Sequence, residues 1–297
     1  MTRDEMSAWL AEGPRILDGA TGSELLRRGV SAAGRLWGVG ALLEDPDAVR
    51  RLHREYAEAG AEALTAATFR VAPYSLRRAG LEDRTEELAS LAVRLAREGA
   101  REAGRDILVF ASQTTLEDCY RPDLVPGDDT LRHEHAATAA VLAASGADAL
   151  LLETFNTVRE ARIAVEAAAA TGLPVIAAFT CISGGRILSG EDAGEAAGAV
   201  FLPGVMAAGA NCTAVGDVLA ALGAMAAATP LPLVAYANNA WYEKDSAFLA
   251  ADPVTPDKYG FCALGWITVG ARLIGGCCGT GPGHIAALAS QLLRRRS

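Results

Sequence analysis

Arg15-Ile16-Leu17-Asp18-Gly19-Ala20-Thr21-Gly22 is the stretch on which the fold turns. A short apolar run ends at an acid and passes into a glycine-bearing turn, as the first strand of an α/β protein does. A dinucleotide-binding open sheet would carry a G-x-G-x-x-G fingerprint there, and the spacing of Gly19 and Gly22 does not supply it. A barrel instead gathers its polar groups at the C-terminal ends of strands and on the loops that follow, which is where Asp18 falls.

Outward from this segment, short apolar runs alternate with longer helical patterns, the signature of repeated βα units around a parallel sheet. Arg15–Asp18 is the first of eight strand candidates, followed by Ala63–Ala67, Ile107–Ala111, Ala149–Glu153, Val175–Thr180, Val205–Asn211, Leu233–Asn238 and Arg272–Gly276. The helix candidates are Pro46–Ala59, Thr85–Ala103, Thr130–Ser145, Val158–Thr171 and Asp217–Ala227. Gly60, Gly104, Gly146 and Gly172 stand where helix-stopping glycines belong. No Pro/Gly/Ser-rich stretch divides the chain. The expected fold is a single-domain (β/α)8 TIM barrel over residues 1–297, with residues 1–13 as an N-terminal extension.

The composition narrows the partners. With 297 residues and a formal net charge of −9, the chain would repel a phosphate backbone, which argues against nucleic acid. The first 13 residues carry Asp4, Glu5 and Glu12 and lack the long apolar core of a secretory signal. The most apolar stretch, Val218 to Tyr236, is interrupted by Pro230 and Pro232 and reads as a helix and a buried strand rather than a membrane span. These features point to a soluble cytoplasmic protein without membrane partners, and they specify no oligomeric partner. Six cysteines are too sparse for a disulfide scaffold and should stay reduced, which opens thiolate and metal chemistry. The only lysines, Lys244 and Lys258, precede the last strand candidate, so a Schiff-base barrel is disfavoured.

Cys277 and Cys278 end the eighth strand within Gly275-Gly276-Cys277-Cys278-Gly279-Thr280, and Cys212 follows Asn211 at the end of the sixth. All three therefore belong on one rim. The flanking glycines are expected to let the backbone bend so that vicinal sulfurs reach one ion. A third sulfur would complete a three-thiolate zinc site with one open position, the arrangement of a catalytic centre. The alternative from spacing alone is three small buried thiols, a common fate of unligated cysteine.

Four segments, taken in order, resemble the homocysteine S-methyltransferase family: Ile16-Leu17-Asp18-Gly19-Ala20-Thr21-Gly22-Ser23-Glu24-Leu25, Leu150-Leu151-Leu152-Glu153-Thr154, Ala210-Asn211-Cys212-Thr213 and Leu273-Ile274-Gly275-Gly276-Cys277-Cys278-Gly279-Thr280. The resemblance runs from about residue 14 to 289. It implies a (β/α)8 barrel that binds Zn2+ through Cys212, Cys277 and Cys278. It further implies that Asp18 and Glu153 hold the amino group of homocysteine, with backbone at Gly19 and Ala20 adding to the contact. A thiol entering the open position would lose its proton at neutral pH and attack a methyl carbon in line. From the residues alone, Asp18 and Glu153 end the first and fourth strands and should face the same pocket as the cysteines, with solvated loop acids as the alternative.

The methyl-donor side departs from the family pattern. Thr65-Ala66-Ala67-Thr68-Phe69 has alanine where relatives often have asparagine, Ala111-Ser112-Gln113-Thr114-Thr115 replaces a Gly-Ser-x-Gly-Pro type of segment, and Ala237-Asn238 stands in place of Pro-Asn. The following Leu116-Glu117-Asp118-Cys119-Tyr120-Arg121-Pro122 is similar to one branch of small bacterial members. Thr68, Phe69 and Asn238 are the candidate donor-side residues. S-methylmethionine is the expected donor, with S-adenosylmethionine as another sulfonium option. Betaine requires an aromatic cage that the sequence does not place, and methyltetrahydrofolate is disfavoured because the chain ends soon after its eighth unit. The remaining alternatives are another thiol or selenol acceptor, betaine as the donor, and a non-catalytic zinc- or thiol-binding barrel.

Other conspicuous residues have plainer expectations. His133 and His135 do not share a helix face, and His53 and His284 are expected at the surface or in caps. Cys119, Cys181 and Cys262 are expected to be structural, with Cys181 the first reserve ligand because it lies nearest a strand end.

Overall fold

The computed structural model describes residues 1–30, 36–239, 241–243, 246–249 and 253–296. All eight strand candidates form strands, and they make one sheet: β1 (Arg15–Ile16), β2 (Ala63–Ala66), β3 (Leu108–Gln113), β4 (Ala149–Phe155), β5 (Val175–Phe179), β6 (Val205–Ala214), β7 (Leu233–Asn238) and β8 (Ala271–Gly276). Every neighbouring pair is parallel, β8 pairs with β1, and a parallel bridge between Leu17 and Ala63 links β1 to β2. The sheet thereby closes on itself as a (β/α)8 barrel in a single domain.

Alternation along the strands sorts side chains into two cores. Leu17, Ala63, Phe110, Ala149, Leu151, Ile176, Ala207, Val234, Tyr236 and Leu273 form the cluster inside the barrel. Their strand neighbours, including Leu64, Val109, Leu150, Leu152 and Ala208, join the larger cluster beneath the surrounding helices. In β4 this places Glu153 in phase with Ala149 and Leu151, so the carboxylate points into the barrel's open end.

The N-terminal residues do more than extend the chain. Arg3–Ala11 is a helix begun by a reciprocal cap, in which Glu5 N donates to the Thr2 hydroxyl and Thr2 N donates to the Glu5 carboxylate. It buries Met6 and Leu10 in the barrel's inner cluster and sets Trp9 edge-on to Phe110, plugging the base opposite the site. Two short hairpins, Cys181–Ile182 with Arg186–Ile187 and Trp241–Glu243 with Ser246–Leu249, are additions to the expected element list.

The helix Pro46–Glu58 corrects one expectation. Val49, Leu52, His53 and Tyr56 recur at helical spacing on its inner face, so His53 is fully buried rather than at the surface. Its Nδ1 lies 4.0 Å from Asp18 Oδ2, and burial lowers its pKa to about 4, which keeps the ring neutral. His284 does act as a cap: its Nδ1 accepts from Gly281 N at the start of the helix Pro282–Arg296. His133 is exposed while His135 is buried. Lys258 lies on the helix Pro256–Thr268 and Lys244 is outside the described residues. Among the described residues no helix is long and apolar enough to cross a membrane.

Candidate metal and substrate site

A cavity of about 590 Å³ opens at the C-terminal ends of the strands, and its lining includes Asp18, Glu153, Cys212, Cys277 and Cys278. Five residues at or just beyond the ends of β1, β4, β6 and β8 thus converge on one space, as barrel chemistry requires.

The backbone is bent on purpose where it delivers them. Cys212 and Thr154 are the only non-glycine residues with positive φ among the described residues, at +46° and +61°, and the strand register shifts beside each. A side chain in this region costs on the order of 1–3 kcal/mol, so the surroundings must hold it there. Asn211 does so: its Oδ1 accepts from Thr154 N and its Nδ2 donates to the Thr154 hydroxyl, each at 2.8 Å. The turn at Cys212 breaks the alternation that would otherwise carry its sulfur away from Asn211's neighbours in the barrel mouth.

The glycines before Cys277 act by closeness and not by bending. A Cβ on Gly275 would lie 2.7 Å from the Asp18 carbonyl, and one on Gly276 would collide with Thr280. Strand β8 can therefore lie against β1, with Gly276 N donating to Asp18 O at 2.9 Å, and the left-handed turn comes later, at Gly279. Of the flanking glycines expected to let the backbone bend, Gly279 supplies the turn, while Gly275 and Gly276 permit the close approach of the strands.

The three sulfurs of Cys212, Cys277 and Cys278 all lie within 4.8 Å of one another, and those of Cys212 and Cys278 are 3.8 Å apart. Left to themselves, they ionise unequally. Hydrogen bonding from Cys277 and then Cys278 holds the Cys212 thiol well below its ordinary range, while interaction with Cys212 pushes Cys277 and Cys278 well above theirs. Three adjacent thiolates call for a cation between them. The spacing, the burial and the softness of the donors fit a zinc ion. Cys181 has no part in this group: its sulfur lies 3.6 Å from the Phe179 carbonyl within the outer core. Cys119, expected to be structural, lines the cavity, although burial raises its pKa to about 12 and keeps it a neutral thiol.

The two acids are equally deliberate. Asp18 is buried, accepts Thr65 N at 2.8 Å, and has its pKa raised well above the carboxylate range by burial, with the charge of Glu153 adding to the rise. Glu153 accepts from the Ser112 hydroxyl, and burial raises its pKa to about 7. Buried acids that resist ionisation are stabilised by a cation brought between them. Tyr236 lines the same space with its hydroxyl buried beside Glu153, whose ionised form it favours against the larger effect of burial.

A stability consequence follows from Glu153. Unfolded glutamate ionises above about pH 4.5 and buried Glu153 only above about 7, so its contribution is complete at acid pH and lost as pH rises between these values. A shift of this size corresponds to on the order of 3 kcal/mol. Metal-free Glu153→Gln should therefore gain thermal stability over the native chain at pH 7.5 and show much less gain at pH 5. Equal gains at both values, measured by calorimetry, would contradict the buried-acid assignment.

The donor-side candidates divide. Phe69 lines the cavity, as do Trp37 and Tyr120. Thr68 lies behind it with its hydroxyl committed to the Ser112 backbone, donating to Ser112 O at 2.9 Å and accepting from Ser112 N at 2.7 Å. Asn238 closes β7 beside Ala214 and is not among the residues that line the cavity.

Comparison with known proteins gives the family. The family model for homocysteine S-methyltransferase matches residues 15–292. The chain belongs to the homocysteine S-methyltransferase family. A homocysteine S-methyltransferase of Escherichia coli (strain K12) is 31% identical over 92% of this chain and 93% of its own length, and homocysteine S-methyltransferase 4 of Zea mays is 30% identical over 94% and 89%. The crystal structure of the homocysteine methyltransferase MmuM from Escherichia coli, metallated form, superposes with a TM-score of 0.81 at 29% identity, covering 94% of this chain and 96% of that one. As a member of this family the protein is an S-methyltransferase enzyme of the homocysteine type, which acts on small-molecule substrates.

Proposed function

We propose that this enzyme moves a methyl group from a sulfonium donor, first among them S-methylmethionine, to the sulfur of homocysteine, with Zn2+ held by Cys212, Cys277 and Cys278. The observation that carries the reading is the convergence of the three sulfurs with Asp18 and Glu153 on one cavity. Bound zinc would supply the Lewis acidity that keeps the acceptor sulfur deprotonated at neutral pH. Asp18 and Glu153 receive the ammonium group of homocysteine, which offsets the burial that disfavours their ionised forms. Backbone at Gly19 and Ala20, both lining the cavity, completes the hold on the amino acid. A new carbon–sulfur bond forms as the donor's methyl–sulfonium bond breaks, and the donor leaves as a neutral thioether.

Trp37, Phe69, Tyr120 and Tyr236 put four aromatic rings around the cavity, which suits a cationic donor. A sulfonium is favoured over a quaternary ammonium because its leaving group is a better one and needs no further cofactor. A related enzyme from Brassica oleracea var. italica, 28% identical over 96% of this chain, is a selenocysteine Se-methyltransferase, and a soft selenolate would suit the same thiolate trio. The reducing cytoplasm is the setting proposed, since all six cysteines are free and three must stay so.

Zinc-loaded protein should form methionine from homocysteine and S-methylmethionine at least about tenfold faster than from betaine or methyltetrahydrofolate, a difference of roughly 1.4 kcal/mol in barrel selectivity. Product quantification by mass spectrometry with each donor separately decides it. Turnover with betaine alone, or only after a corrinoid protein is added, would overturn the sulfonium assignment and leave the thiol half of the reaction standing.

A further inference from the structure

Tyr120 reaches the thiol cluster from the loop that follows β3. Its hydroxyl oxygen lies 2.9 Å from Sγ of Cys212, and the residue lines the cavity. The loop that carries it is held by buried polar groups on both sides. Ahead of it, Leu116 N donates to Glu160 Oε1 at 2.8 Å, and Glu160 is itself fully buried with His135 Nε2 at 3.2 Å. Beside it, the fully buried Asn156 donates through Nδ2 to Cys119 O at 2.9 Å, and Arg70 Nη1 donates to Thr115 O and Glu117 O. Tyr120 N donates to Asp118 Oδ1 at 2.9 Å. These bonds tie the loop backbone to the barrel at several points and so fix where the phenol sits, although Glu160 Oε2 and Asn156 Oδ1 have no partner among the described residues.

A metal-bound cysteine sulfur carries no proton and can only accept, which makes the phenol the donor in this contact. A hydrogen bond to an ionised acceptor withdraws electron density from it and is stronger than a neutral one. We propose that Tyr120 is a positioning residue whose hydroxyl donates to the Cys212 thiolate, fixing that sulfur and weakening its donation to the metal so that an acceptor thiol on the same metal becomes more acidic. The inference rests on the zinc site proposed above.

The test uses cobalt(II) in place of zinc, because sulfur-to-cobalt charge transfer reports sulfur donation directly. Tyr120→Phe should bind one equivalent of cobalt, as the native chain does, with its charge-transfer band moved to lower energy. The acid limb of kcat/KM for homocysteine should move up by roughly half to one pH unit, since only part of a charged hydrogen bond's strength reaches the acceptor thiol. Placing 3-fluorotyrosine at position 120, a stronger donor of nearly the same shape, should move both readouts the opposite way, and it serves if the phenylalanine variant folds poorly. A purely structural role would lower Tm and leave band and limb in place. Superimposable spectra and limbs in native, phenylalanine and fluorotyrosine proteins would overturn the inference with the metal site intact, whereas a native chain that takes up no cobalt would overturn both.

Discussion

Cys212→Ser should leave the chain folded and nearly inactive, with methionine formation reduced on the order of a thousandfold or more and most of the zinc gone. Changes to the partners that merely orient metal ligands typically cost 10–100-fold, and loss of a ligand removes more. Cys212 contributes one of three sulfurs, it sits on the strained turn beside Asn211, and its side chain belongs to neither the inner nor the outer core cluster. Serine fits the same backbone, so the variant's Tm should stay within a few degrees of metal-free native protein. Metal analysis by mass spectrometry after dialysis reads the outcome. Full zinc occupancy in the variant would remove Cys212 from the ligand set.

Asp18→Asn and Glu153→Gln should act on the substrate instead of the metal. Each removes a charge-assisted hydrogen bond to the amino group, for which about 1.5–3 kcal/mol is ordinary. The expected loss is therefore roughly 10–150-fold in kcat/KM for homocysteine, mostly through KM, with one zinc per chain retained. A thiol of the same length without the amino group should already be a poor acceptor for the native enzyme and should lose little more in either variant. If simple alkyl thiols compete equally with homocysteine, the two acids do not recognise the ammonium group. The effects of the two substitutions should fall short of additive, because Asp18 and Glu153 sense one another's charge.

The sequence spoke most clearly where local pattern and geometry coincide. Short apolar runs between longer helical patterns located every barrel strand, because one face of each strand meets the inner core and the other the helices, so both are apolar. The end of the fourth strand likewise put Glu153 on the rim that carries the cysteines, and the structure adds that it is in phase with Leu151 and lines the cavity. The ends were less legible. β1 stops at Ile16 because Leu17 turns to bridge Ala63, and β3, β4 and β6 continue into polar residues that hydrophobicity alone would exclude. The Thr2–Glu5 capping box was present in the sequence of the N-terminal helix, and its signal was available there. The helical spacing of His53 with Leu52 and Tyr56 was likewise a sign of burial.

The remainder of the site depends on contacts between distant segments. Nothing near Tyr120 in sequence indicates that its hydroxyl meets Cys212, 92 positions away, or that Asn211 ties the turn at Thr154 to its own strand. Thr68 and Phe69 are adjacent, yet one is spent on the Ser112 backbone and the other faces the cavity, a distinction set by the turn that ends β2. The cysteine trio was reached by resemblance, because spacing alone left three buried thiols as an equal reading, and the sulfurs meet within 4.8 Å, close enough to hold one metal ion.

The most direct measurement of the central claim is zinc K-edge X-ray absorption on the loaded protein before and after addition of selenohomocysteine. The account predicts three sulfur scatterers at about 2.3 Å in the resting protein. On addition, one selenium should enter the shell, and the sulfur count should fall by at least one in Cys277→Ser or Cys278→Ser. A shell that contains no protein sulfur, or that gains no selenium while methyl transfer to the same acceptor proceeds, would contradict it.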